Sequence, residues 1–139
     1  MKKTMKVMTI LLCAVTMVML SACSKEDTYQ RRIIGKWECV HAKLLPDNPV
    51  NIDPNQYDDS NIDNAVLIWE FSSDGIVKAT TTDWTYSYTY SITEEYLEVA
   101  GTLLQGSGAL HIYELTNSSL ILWRYVNGSY LYLEFQRVR

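Results

Sequence analysis

Apolar and polar residues alternate along most of this chain with a period of two. Residues 36–45 begin the pattern, with Trp37, Cys39 and His41 on one face and Val40, Ala42 and Leu44 on the other. That is the alternation of a half-buried strand. Similar runs cover residues 65–71, 76–82, 85–92, 96–100, 109–115, 120–126 and 130–138. Between them lie Ser72-Ser73-Asp74-Gly75, Glu94-Glu95, Asn117-Ser118 and Asn127-Gly128. Asp-Gly and Asn-Gly supply the positive-φ positions of tight hairpins. Eight short strands joined mostly by short turns predict an antiparallel meander, which removes its open edges by closing. The expected fold class is all-β: a single eight-stranded antiparallel up-and-down barrel, which side chains can fill or which can hold one small ligand.

Two stretches break the alternation. Residues 46–64 contain Pro46, Pro49 and Pro54, five aspartates and five asparagines, a long loop of the length that usually serves binding. Near the N-terminus, Lys2, Lys3 and Lys6 precede an apolar run over 7–20, the charge and length of a secretory leader. It is short of the roughly 20 residues that span a bilayer. Residues 24–34 read as a polar tether with one turn of helix. Three units follow: a signal peptide over 1–22, a modified cysteine with its tether over 23–34, and the barrel over 35–139.

Charge narrows the function. The chain has 12 Lys+Arg and 16 Asp+Glu, a formal charge of −4. The leader holds three of the lysines and none of the acids, so the mature part reaches −7. That argues against nucleic acid, whose phosphates demand a basic surface. No nucleophile elbow or phosphate-cradling glycine loop is visible, and Gly106-Ser107-Gly108 lacks the frame of the former. Asp53-x-Asn55 starts like a calcium loop but has no glycine at the sixth position and no glutamate at the twelfth. The chain therefore reads as a non-enzyme without cofactor or metal.

The run Leu20-Ser21-Ala22-Cys23 resembles a bacterial lipobox, which implies cleavage before Cys23 and lipid on its thiol. Lys25-Glu26-Asp27 resembles the export signal of Bacteroidetes-type surface lipoproteins, which implies a lipid-anchored, surface-exposed position on the outer membrane, with a periplasm-facing one as the alternative. Gly35-Lys36-Trp37 resembles the Gly-x-Trp signature of lipocalins and other calycins. Residues 69–75, 88–92, 115–122 and 132–138 resemble, in order, later motifs of lipocalin-like domains in bacterial lipoproteins. This resemblance implies structural roles for Gly35 and Trp37 and an arginine packed over the Trp37 ring. Arg124 and Arg137 both qualify. The chain is shorter than typical lipocalins and has no cysteine pair for a disulfide: Cys13 leaves with the leader, Cys23 takes lipid and Cys39 is left alone.

Aromatic residues carry the functional expectation. Tyr86, Tyr88 and Tyr90 alternate with Ser and Thr, and Tyr130 and Tyr132 oppose Leu131, Leu133 and Phe135. The leading reading is non-catalytic binding or transport of a small apolar or aromatic ligand inside the barrel. Its lining is Cys39, His41, Trp69, Phe71, Tyr86, Tyr88 and Tyr90, with residues 46–64 as the gate. The alternative is an interaction module, in which exposed aromatics meet a partner protein or glycan over a filled barrel.

Overall fold

A computed structural model of the protein describes residues 24–60, 67–100 and 109–139. The signal peptide, Cys23, Gly106-Ser107-Gly108, residues 61–64 of the long loop and the first residues of the second predicted strand lie outside the described residues. One helix, α1 (Ser24–Ile33), leads into eight strands: β1 (Gly35–Leu45), β2 (Ile68–Phe71), β3 (Ile76–Thr80), β4 (Thr85–Ile92), β5 (Tyr96–Val99), β6 (Ala109–Leu115), β7 (Ser119–Val126) and β8 (Ser129–Arg137). Each strand pairs antiparallel with the next, and β8 returns to β1 to close the barrel. The predicted architecture is thus the observed one.

Local chemistry sets the connections. Asn127 and Gly128 both take positive φ, 50° and 87°, the backbone of a tight two-residue hairpin whose twist suits the flanking strands. At the Ser72–Gly75 turn only Gly75 has positive φ, and the Gly75 amide donates to the Ser72 carbonyl. That turn is therefore a longer hairpin than Asp-Gly alone suggests. The tether is also more ordered than its polarity implies. Ser24–Ile33 is a full ten-residue helix with Arg31 and Arg32 in its last turn, where positive charge complements the helix dipole. Ile33 is buried in the barrel core, so tertiary packing supplies what a short isolated helix lacks.

Alternation places Trp69, Phe71, Val77, Leu97, Leu120, Leu122, Leu133 and Phe135 in one interior cluster. A smaller cluster of Leu45, Ile121 and Tyr132 lies on the opposite, outer side of β1, β7 and β8. Ile52 and Tyr57 of the long loop cover it. No helix among the described residues is long and apolar enough to cross a membrane.

Candidate functional site

The two ends of the barrel are built differently. At the end where β1 starts, Trp37 is completely buried and its indole N–H donates to the Ile33 carbonyl at 2.8 Å. The Arg137 guanidinium lies 4.3 Å from the centre of the Trp37 ring, a cation–π contact. It also donates to the Asn117 carbonyl at 2.6 Å, the Ile34 carbonyl at 2.7 Å and the Arg32 carbonyl. Arg32 in turn donates to the Leu115 carbonyl at 3.0 Å. One arginine thereby fastens the helix, the β6–β7 turn and the first strand together. Gly35 has φ +133°, and a Cβ there would run into the guanidinium, so glycine suits this position on two counts. Of the two candidate arginines, Arg137 is the one over Trp37; Arg124 pairs with Leu131 near the other end.

Towards the other end the inward-facing residues become progressively exposed. Phe135 is at 0% and Trp69 at 1%, while Leu44 reaches 48% and Tyr86 55%. Tyr86 and Tyr88 pair with Ala79 and Val77 and so share the inward face of β3 and β4. Leu44 pairs with Leu131 on the inward side of β1 and β8. This half is a cup walled by Leu44, Leu131, Tyr86 and Tyr88, with Arg124 on the same inward side opposite Leu131, and Trp69 packs beneath it against Phe135, ring centres 4.8 Å apart, and against Phe71. The Trp69 indole N–H is buried and has no hydrogen-bond acceptor among the described residues. Buried donors are nearly always paired, and one left unmet costs about 1–3 kcal/mol.

The predicted lining residues fare unequally. Trp69 and Phe71 are interior, and Tyr90 packs edge-on against Phe71 at 4.9 Å while donating its hydroxyl to the Ser72 carbonyl at 2.7 Å. Tyr88 faces the cup and Tyr86 stands at its rim. Cys39 pairs with Phe135 and faces inward, but His41 does not. A bulge between Cys39 and His41 shifts the register and sets His41 opposite Glu134, on the outer wall. There its Nδ1 meets the Asp59 carboxylate at 3.0 Å. A period-two pattern carries no sign of a bulge, because one extra residue turns the rest of the strand over. Burial pushes the Cys39 thiol up to about 11, opposed by its contact with the His41 carbonyl. It is therefore the protonated small hydrophobe of a core rather than a thiolate.

The expected gate is also elsewhere. Over residues 46–60 the long loop lies along the outer wall, not across the mouth. The Lys43 ammonium donates to the Pro54 carbonyl at 3.0 Å, and the Ser60 amide to the Ala42 carbonyl at 2.9 Å. Proline and asparagine content gives a loop, but nothing in it says where the loop packs.

No family model, curated protein or solved structure matches the chain. The reading of the site therefore rests on its own geometry. Among the described residues no group of three or more His, Cys, Asp or Glu could hold a metal ion.

Proposed function

We propose that the protein is a lipid-anchored, non-catalytic binding protein of the bacterial cell surface. Its ligand is a small, largely apolar or aromatic molecule with one hydrogen-bond acceptor, seated in the open half of the barrel. The unpartnered indole N–H of Trp69 carries this reading. It lies beneath a cup of Leu44, Tyr86, Tyr88 and Leu131, with Arg124 beside Leu131, so a largely apolar body would fill the cup while a carbonyl, ether or carboxylate oxygen meets the donor. Small-molecule sites combine an apolar lining with a few such placed polar groups.

Native mass spectrometry of protein taken gently from its host tests this. The expected result is an adduct of about a few hundred daltons, the mass of a ligand that fits such a pocket. Trp69→Phe, which keeps a ring and removes the N–H, should lose most of it. A bare mass for the unaltered protein overturns the reading. The anchor has its own test: metabolic labelling with a fatty acid should mark the unaltered chain and not Cys23→Ser. Equal labelling of both would remove Cys23 from that role.

A further inference from the structure

The outer wall carries a second set of aromatics that the barrel ligand does not use. Tyr96 on β5 pairs with His111 on β6, His111 with Trp123 on β7, and Trp123 with Tyr132 on β8. One row further along, Tyr125 pairs with Tyr130. All lie on the face opposite Leu97, Leu110, Leu122 and Leu131, hence outside. Ring centres follow one another at 4.6 Å from Tyr96 to His111, 4.0 Å to Trp123 and 5.7 Å to Tyr130, with Tyr125 at 5.1 Å from Tyr130. Tyr96 is 37% exposed and Tyr125 60%. The long loop covers the part of this wall formed by Leu45 on β1, Ile121 on β7 and Tyr132 on β8, with Tyr130 packed at its edge, and the cluster includes neither Tyr96 nor His111, Trp123 or Tyr125.

Adjoining the stripe is a hollow of about 450 Å³ lined by Thr89, Ser91, Glu98 and Ala109, among others. Glu98 and Ala109 lie two residues along from Tyr96 and His111, about 7 Å on a strand. The hollow and the stripe are therefore continuous.

The geometry points to a binding site for a neutral glycan chain along this wall. His111 and Trp123 are parallel within 6°. Rings stacked between neighbouring strands turn their faces to each other and their edges outward. Ring edges are the positive part of the aromatic quadrupole, and in Tyr, Trp and His they carry O–H and N–H groups. Such a surface suits oxygen-rich ligands and repels cations. The hollow adds the Thr89 and Ser91 hydroxyls, which both donate to and accept from sugar hydroxyls, and the Glu98 carboxylate, which accepts from them. Among the described residues no Lys or Arg faces outward on β4 to β7, while Glu98 and Glu114 do, so an anionic glycan is disfavoured. Shape selects against a protein. Four strands span about 14 Å, and a stripe one or two rings wide covers on the order of 200 Å², against about 800 Å² per partner in a stable protein interface.

Affinity electrophoresis of the full chain in gels containing soluble starch, a β-glucan or a mannan tests the site. Retardation in at least one gel is expected, weakened at least tenfold by Tyr96→Ala and by Trp123→Ala. Tyr125→Ala, at an exposed position that the fold does not need, should weaken it less. Trp69→Phe should leave it unchanged, which separates this site from the barrel. Unaltered mobility in all three gels overturns the proposal, as does retardation that survives both Tyr96→Ala and Trp123→Ala. A dimer in sedimentation that Trp123→Ala dissolves would assign the wall to a second copy and overturn it equally.

Discussion

Trp37 and Trp69 sit on neighbouring strands, directly across from each other in the β1–β2 register. Both are buried in one core, yet their indole N–H groups meet opposite fates. That of Trp37 is answered by the Ile33 carbonyl, and its ring is covered by Arg137. That of Trp69 is answered by no acceptor among the described residues. On the proposed ligand reading, burial alone therefore does not distinguish a structural residue from a binding one. The distinguishing property is whether the polar atom has been provided with a partner by the fold itself.

The largest way to break the comparison is to remove the closed end. Trp37→Ala should cost about 3–5 kcal/mol, the range for deleting a buried large aromatic, read as a lower midpoint in urea unfolding. A loss below about 1 kcal/mol would mean that the end closes without it. Substituting phenylalanine at each tryptophan sharpens the contrast. Trp37→Phe strands a carbonyl and should cost about 1–3 kcal/mol. Trp69→Phe removes a donor that had no partner, so its stability should stay within about 1 kcal/mol of the parent while ligand binding falls. Equal destabilisation by both would erase the distinction.

The contrast explains what the sequence made legible. Period-two alternation and the Asn127-Gly128 turn belong to single strands or single turns, so the eight-stranded barrel followed from them. The choice between Arg124 and Arg137 needed the closing register of β8 on β1. The bulge at Cys39/His41 needed the partner strand, because a bulge is a mismatch between two strands. The outer stripe was missed for the same reason. Tyr96, His111 and Trp123 come from three strands, and each looks like an ordinary strand aromatic until pairing aligns them. One signal was present: each sits beside a leucine, Leu97, Leu110 or Leu122, which claims the inward side and leaves the aromatic outside.

Alkaline titration gives a smaller effect that also separates inside from outside. Cys39 rises from 9.0 to about 11 through burial. Between those values the unfolded chain gives up this proton and the folded chain keeps it. Stability should therefore fall as pH climbs from 9 to 11, and Cys39→Ala should remove that part of the slope in urea midpoints measured at pH 8, 10 and 11. Iodoacetamide should likewise react slowly with native Cys39 at pH 9. Rapid alkylation there would mean an exposed thiolate. Tyr132, pushed up to about 12 by burial and by Glu134, adds a second alkaline loss with the same sign, at higher pH.

The smallest expected effect bears on the long loop. Its contact between His41 and Asp59 joins two groups that are each about half exposed, at 46% and 50%. Exposed pairs of this kind contribute about 0–1 kcal/mol, so Asp59→Asn should barely move the unfolding midpoint. The informative measurement is the rate of ligand entry. Residues 46–60 are held to the outside of β1 by Lys43 and Ser60, on the far side of the wall from Leu131 and Leu133. Loosening one contact there leaves the path to Trp69 unchanged, and association rates for the parent and Asp59→Asn should agree within about twofold, well inside the one to three decades over which variants of one interface usually differ. A tenfold change would mean that the loop governs the mouth after all, and that the open half of the barrel is closed in solution by the segment that here braces its outer side.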